Sequence, residues 1–349
     1  MTSIWELPDF DAHEAVHVVE DYKSGLRSVI AVHSTNLGPA AGGTRFWHYA
    51  QPQMAITDAL RLSRGMSYKN AMAGLPLGGG KAVILADAKR TKTPEMLAAF
   101  GRAINQYNEQ YVTAEDVGMS DMDMVEISKQ TKYVAGLPVS DPNLAGGDPG
   151  PYTAYGVYLG IKAAAKHKLG VDDMRGVRVA IQGVGSVGGG VAKLLAKDGA
   201  ILILADLFAD KAAKLAEEID AAHVDLDNIM TSECDIFSPN ALGAVLNQQS
   251  IAALKCQIVA GGANNQFATA RDSQILFERG ILYAPDYVIN AGGIINVGLE
   301  YLGNATVDDV NERIKIIPQR LSDIWKQSEE TNIASSKIAD QMAQKLIGR

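Results

Sequence analysis

Gly183-Val184-Gly185-Ser186-Val187-Gly188 has the spacing of a turn that seats the pyrophosphate of a dinucleotide. The pattern alone is weak, so its context decides. It follows a strand-like run, Val177-Arg178-Val179-Ala180-Ile181, and opens a helical stretch to Lys197. A second strand, Ile201-Leu202-Ile203-Leu204, then leads to Asp206. Gly183 permits the tight turn, Gly185 lets backbone approach phosphate, and Gly188 lets helix and strand pack closely. Val184, Ser186 and Val187 complete a helix N-terminus whose amides and dipole favour an anion. Asp206 stands where a carboxylate accepts from both adenosine ribose hydroxyls and would repel a 2′-phosphate. It is followed by Leu207, Phe208 and Ala209 rather than an arginine, so NAD is favoured over NADP.

Two further patterns imitate known chemistry. His13-Glu14-Ala15-Val16-His17 matches H-E-x-x-H, but it runs into strand-like alternation, where positions four apart spread too far to chelate one zinc ion. Gly78-Gly79-Gly80-Lys81 resembles the end of a phosphate-binding loop. Leu75 stands where that motif needs its first glycine, and Ala82 stands where a Ser or Thr should hold magnesium. What remains in the first half is a set of charges among glycines and small apolar residues: Lys69, Lys81 and Asp116. Singly, each reads as an ordinary structural charge.

The elements that must position these residues follow from hydrophobic period and turn residues. The first half reads as strands at 14–34 around a Lys23-Ser24-Gly25 turn, then a helix at 53–71. A glycine turn at 78–80 precedes a strand at 82–85, Pro94 opens a helix to Tyr107, and a short strand ends near Asp116. Glycine and proline crowd between 136 and 151, which suits a domain boundary. Beyond it strand and helix alternate, implying a parallel sheet with helices on both faces. Val310, Ile314, Ile317, Leu321 and Ile324 form one apolar stripe behind a Thr306/Asp309 capping box, readable as core or as a subunit contact. Ile338, Met342 and Leu346 mark a last short helix. The reading is α/β with two domains: 1–140 for substrate and catalysis, 141–332 for NAD, and a helix at 333–349 packing back on the first.

The 349 residues carry 32 basic and 40 acidic side chains, a net charge of −8, with no basic–aromatic stripe. Nucleic-acid and membrane-surface partners are therefore not expected. The N-terminus lacks a signal-peptide pattern, and two cysteines, Cys234 and Cys256, have no metal spacing, so a cytoplasmic protein is expected.

Seven runs, in order, cover nearly the whole chain. They are Leu37-Gly38-Pro39-Ala40-Ala41-Gly42-Gly43-Thr44-Arg45, Ser63-Arg64-Gly65-Met66-Ser67-Tyr68-Lys69-Asn70, Leu77-Gly78-Gly79-Gly80-Lys81, Thr113-Ala114-Glu115-Asp116-Val117-Gly118, Thr153-Ala154-Tyr155-Gly156, Gly262-Ala263-Asn264-Asn265-Gln266 and Pro285-Asp286-Tyr287-Val288-Ile289-Asn290-Ala291-Gly292-Gly293. Together they resemble the glutamate/leucine/phenylalanine/valine dehydrogenases, most closely the leucine branch. The resemblance implies an N-terminal α/β substrate domain and a Rossmann-type NAD domain closing over it. It implies that Lys69 clamps the substrate carboxylate, Lys81 is the base that activates water, and Asp116 exchanges a proton with the substrate nitrogen. Asn265 helps hold the carboxylate, with Asn264 and Thr153 against the nicotinamide. Some homo-oligomer, dimer to octamer, is implied as well.

Those residue types suit oxidation of an amino acid. Hydride leaves readily from a neutral amine, so a carboxylate that accepts its proton is useful. Water addition to the iminium needs a base near the working pH. A lysine titrating ordinarily at about 10.4 is brought down by burial beside a second cation, and Lys69 beside Lys81 is the expected pairing. The resemblance also predicts a side-chain pocket from Ala41, Gly42, Met66, Ala114, Ile294 and Val297. Glutamate-selective relatives carry a lysine at the position of Ala41, and leucine-selective ones a leucine. The expected substrates are therefore leucine, valine and isoleucine, with phenylalanine or another aromatic as the alternative. A 2-hydroxy-acid or alcohol dehydrogenase would want a histidine–carboxylate or arginine-based site, and none of the six histidines sits in a suitable motif. A non-catalytic dinucleotide sensor is disfavoured by the intact Lys69, Lys81 and Asp116.

Overall fold

A computed structural model describes residues 3–139 and 141–349. The chain divides into two compact units. The first comprises Met1–Gly147, Ile294–Asp309 and Ala343–Arg349, and the second Asp148–Gly293 and Val310–Met342. The division falls after Gly147 rather than after 140, and the segment 294–309, expected in the second domain, returns to the first. Hydrogen bonds account for that return. The Glu300 carboxylate accepts from the amides of Gly136 and Leu137, both at 3.0 Å, and Asn296 exchanges two bonds with the Gly146 backbone. These part-buried groups tie the segment to the first unit.

In the first unit β1 (Ala15–Asp21), β2 (Leu26–Ser34), β3 (Ala40–Trp47), α1 (Pro52–Met72), β4 (Gly78–Leu85), α2 (Pro94–Gln106), β5 (Tyr111–Ala114) and α3 (Asp121–Ser128) follow in order. The five strands form one mixed sheet, β1-β2-β4-β3-β5. β2 pairs antiparallel with β1 and β4, while β3 lies parallel to β4 and β5. α1 covers one face, where Ala55, Ala59 and Leu60 pack on Val29, Ala31 and Val83. Small residues on both sides let the helix axis approach the sheet closely.

The triple glycine is not the turn expected before β4; it is the first part of the strand itself. A Cβ on Gly79 would lie 2.0 Å from the Ser67 amide nitrogen of α1, and one on Gly80 would lie 2.6 Å from the Tyr111 ring. Glycine here lets a helix and an aromatic ring press on opposite faces of one strand.

The second unit begins with α4 (Gly150–Leu169) and continues β6 (Arg178–Gln182), α5 (Ser186–Lys197), β7 (Ile201–Ala205), α6 (Ala209–Glu218), β8 (Ala222–His223), β9 (Ile236–Pro239), α7 (Gln248–Ala253), β10 (Ile258–Val259), α8 (Ala270–Glu278), β11 (Leu282–Tyr283) and α9 (Asp286–Ile289). Its six strands are parallel in the order β11-β10-β9-β6-β7-β8. The order reverses direction between β6 and β9. In doubly wound sheets such a reversal opens a ligand crevice at the carboxyl ends of the strands. The turn after β6 carries the expected glycine motif.

The tail supplies α10 (Gly292–Leu302), α11 (Val307–Ile314), α12 (Ile316–Thr331) and α13 (Ser335–Leu346). The Thr306/Asp309 capping box is present, and Val310, Ile314, Ile317, Leu321 and Ile324 are all buried within the chain. That stripe is therefore core, although a break at Lys315 divides it between two helices. Asn332, at φ 54°, ends α12 in the left-handed region that asparagine tolerates. The first part of the last helix stays with the second unit, where Ser335 Oγ and Trp325 Nε1 both donate to the Tyr283 carbonyl at 2.9 Å. Only the stretch from Ala343 onward joins the first unit, where Gln344 donates to the Tyr68 hydroxyl and Arg349 to the His33 carbonyl. Among the described residues no helix is long and apolar enough to cross a membrane.

Candidate active site

In the first unit, parallel pairing sets Gly42 opposite Thr113 and Gly43 opposite Ala114. The chain leaving β5 therefore passes directly beside β3. A Cβ on Gly43 would meet the Glu115 carbonyl at 2.4 Å and the Asp116 Cβ at 2.9 Å, so only glycine admits that passage. Asp116 is thereby brought over the sheet. Lys81, in the interior of β4, points to the same face as Gly79 and Val83, beneath α1. Its ammonium meets Asp116 Oδ2 at 2.6 Å, with the lysine side chain only 8% exposed.

The electrostatics of this pair are set by burial first. Burial, reinforced by the nearby Arg45 charge, pulls the Lys81 ammonium below its ordinary value, against the pull of Asp116. Burial works to raise Asp116, but the Lys81 ammonium and the Arg45 guanidinium outweigh it and hold the carboxyl below the usual carboxylate range. The result is an amine able to lose its proton beside a carboxylate kept anionic. A second cation also meets Asp116 here: Arg45, whose Nε lies 3.2 Å from the same oxygen. Arg45 was legible only as one letter of a longer run; nothing local tied it to a partner 71 residues away.

Lys69 lies in the last turn of α1 and is half-buried. Its neighbour Asn70 fixes that turn by donating to the Gly78 carbonyl at 2.6 Å and the Ala41 carbonyl at 3.4 Å. Nothing in the sequence singles Asn70 out for that part. The six positions expected to line the side-chain pocket all fall in this unit. Ala41 and Gly42 are buried, and Met66, Ala114, Ile294 and Val297 are half-buried. A Cβ on Gly42 would stand 3.1 Å from Met66 Cγ, so those two are brought together directly. Gly298 packs on Leu75 and Leu77, setting α10 beside the link from α1 to β4.

In the second unit the glycine turn has the expected form. Gly183 sits at φ 87°, and a Cβ on Gly188 would lie 1.9 Å from the Gly183 carbonyl oxygen. Gly185 is the N-cap of α5, provides no side-chain cap, and has no atom within 4 Å of where its Cβ would be. An open approach to an uncapped helix N-terminus fits a pyrophosphate. Val184, Ser186 and neighbouring α5 residues line an open groove at that place. Asp206 is held by its own backbone surroundings, accepting from the amides of Val184 at 2.7 Å and Phe208 at 3.0 Å. Thr153 Oγ1 donates to the Pro149 carbonyl at 2.9 Å. Asn264 accepts from Asn290 at 2.8 Å. Asn265 is exposed and left-handed, at φ 51°.

The two imitating patterns go elsewhere. His13 Nε2 lies 3.0 Å from both the Leu60 carbonyl and Ser63 Oγ, while the His17 ring stacks on Tyr107 at 3.7 Å. Lys81 extends from a strand, not from a phosphate loop.

An amine buried beside a fixed carboxylate in this way can do acid–base chemistry. On a chain that also carries a dinucleotide-type turn, it belongs with the amino-acid dehydrogenases. Residues 13–133 match the Glu/Leu/Phe/Val dehydrogenase dimerisation domain, and residues 204–347 match the Glutamate/Leucine/Phenylalanine/Valine dehydrogenase family. The chain is 47% identical over 335 residues to the leucine dehydrogenase of Thermoactinomyces intermedius, covering 96% of this chain and 91% of that one. It is 42% identical over 339 residues to the valine dehydrogenase of Streptomyces albus, covering 96% and 92%. Among solved structures, the L-tryptophan dehydrogenase from Nostoc punctiforme superimposes with a TM-score of 0.87 at 38% identity, covering 96% of each chain. The chain belongs to the glutamate/leucine/phenylalanine/valine dehydrogenase family.

Proposed function

We propose that this enzyme oxidatively deaminates branched aliphatic L-amino acids, leucine foremost, with NAD, giving the 2-oxo acid and ammonia reversibly. The observation that carries the reading is the buried Lys81–Asp116 pair at 2.6 Å. In it, Lys69 binds the substrate carboxylate. Asp116 takes the proton from the substrate ammonium, leaving the neutral amine from which hydride departs. Lys81, pulled below its ordinary value by burial, removes a proton from water as it adds to the iminium carbon, and returns it when ammonia leaves. Bound NAD would supply the acceptor for the hydride. Gly183, Gly185 and Gly188 seat the pyrophosphate, Asp206 accepts from the adenosine ribose, and Thr153 and Asn264 face the nicotinamide.

Ala41, Gly42, Met66, Ala114, Ile294 and Val297 form the side-chain pocket, in which Ala41 is among the smallest side chains. That smallness, together with the L-tryptophan dehydrogenase among the solved likenesses, supports a second reading: an aromatic amino acid as preferred substrate. The match to a dimerisation domain supports assembly with copies of itself. Incubation with NAD and L-leucine should raise absorbance at 340 nm, with one ammonia and one 2-oxo acid appearing per NADH. NADH formed without ammonia would refute deamination, and no NADH with any apolar amino acid would refute the reading altogether.

A further inference from the structure

Asp116 has two cations on one oxygen. Arg45, from β3, donates Nε to Oδ2 at 3.2 Å, and Lys81 reaches the same atom at 2.6 Å. The far side of the guanidinium donates Nη1 to Asp58 Oδ2 at 2.6 Å. Asp58, on α1, also accepts from the Tyr49 hydroxyl at 2.6 Å and from Arg61 Nη2 at 3.0 Å. Arginine side chains at protein surfaces swing freely; this one is 23% exposed and held at both ends.

We propose that Arg45 is a positioning residue for amino-acid oxidation: it fixes the Asp116 carboxylate and supplies the charge that allows Lys81 to work as a neutral base. The inference rests on the dehydrogenase reading above. A two-member pair of Lys81 and Asp116 has a built-in obstacle. When the lysine loses its proton, a largely buried carboxylate is left without a counter-charge, so the proton is held back. Arg45 removes the obstacle, because Asp116 stays compensated whichever form Lys81 takes. Through the shared oxygen the two cations stand within about 6 Å, close enough for the guanidinium to disfavour the ammonium form directly. Asp58 holds Arg45 from behind and prevents it from turning to the substrate carboxylate that Lys69 serves.

The other groups facing the cluster do not compete for the proton in the working range. Tyr49, from the link between β3 and α1, is pushed up by burial and by Asp58, and Tyr111, from β5, is pushed up by burial. Asp58 is held below the usual carboxylate range, where the Tyr49 and Arg61 hydrogen bonds and the Arg45 charge outweigh its burial. Arg61 is a permanent cation.

The test compares wild type, Arg45→Gln and Arg45→Lys in full pH profiles of kcat and kcat/KM for L-leucine oxidation. Arg45→Gln removes a cation that lowers Lys81 and Asp116 alike, so the acid limb should move up by about one pH unit. Its kcat should fall by about 10- to 100-fold while KM for leucine changes far less. Arg45→Lys keeps the charge without the two-ended grip, so the limb should return to the wild-type position with kcat only partly restored. A limb that stays put in Arg45→Gln, or one that Arg45→Lys does not restore, would overturn the proposal. Should Arg45→Gln fail to fold, Arg45→Lys decides: a wild-type limb with reduced kcat supports the proposal, and a displaced limb or full kcat overturns it. A wild type that oxidises no amino acid would instead bring down the underlying reading, and this inference with it.

Discussion

Replacing Lys81 by alanine separates catalysis from folding in one variant. The side chain is 8% exposed and its ammonium meets Asp116 at 2.6 Å, so the change removes both the proposed base and one side of a buried ion pair. Loss of a general base costs about 10²–10⁴-fold in rate, so kcat should fall by about a thousandfold, or about 4 kcal/mol of barrier. Breaking a buried pair from one side costs about 3–5 kcal/mol. Here Arg45 remains on the same Asp116 oxygen, so the stability loss should be at or below about 3 kcal/mol, a fall in Tm of about 5–10 °C for a unit of this size. The glycine turn of the second unit is untouched, and NADH binding followed by fluorescence should persist. Rates come from absorbance at 340 nm with saturating NAD and L-leucine. A variant that keeps a tenth of wild-type kcat would refute the assignment of Lys81 as base.

Lys69→Ala should instead raise KM for the amino acid strongly, because it would remove the proposed ion pair to the substrate carboxylate; an unchanged KM would move the carboxylate site elsewhere. Asp206→Ala should weaken NAD and narrow the gap to NADP, and equal kcat/KM for the two cofactors in wild type would contradict the ribose assignment. Ala41→Leu should lower kcat/KM for phenylalanine more than for leucine, by about tenfold, as bulk enters the pocket; equal losses would place Ala41 outside it. Burial, then the Arg349 charge, depress His33 from 6.5 to about 4. The unfolded chain therefore binds the extra proton throughout that window, and stability is full above 6.5 and lost as pH falls toward about 4. His33→Asn should flatten the fall of Tm across that window, and an unchanged slope would assign acid sensitivity to other groups.

How much of this was readable from sequence depended on whether a signal was local. The glycine turn with its strand, helix and Asp206 is local, and the parallel sheet around it follows from alternating periods. The glycines at 78–80 misled because the same residue type serves turns and close packing. The reason for glycine in β4 is a helix backbone 2.0 Å from a missing Cβ, supplied by Ser67 from a different element. The break at Lys315 in the tail was invisible because the apolar stripe keeps its period across it. The return of 294–309 to the first unit depends on carboxylate and amide bonds between residues far apart in the chain, as from Glu300 to Leu137. Arg45 was hidden for the same reason. Its meaning lies in meeting Asp58 and Asp116 at once, and a charge in a strand announces no partner.

The reading turns on a buried lysine–carboxylate pair that moves the protons while an amino acid, its side chain among apolar residues, gives its hydride to NAD. The most direct test is the ratio of kcat/KM for L-leucine and L-glutamate, measured with NAD at 340 nm on the unmodified enzyme. With Ala41 in place of a cation, the γ-carboxylate would be desolvated without a partner, a penalty of several kcal/mol, on the order of a thousandfold or more in rate. Leucine should lead by at least that order, and a glutamate rate equal to or above that of leucine would contradict the account.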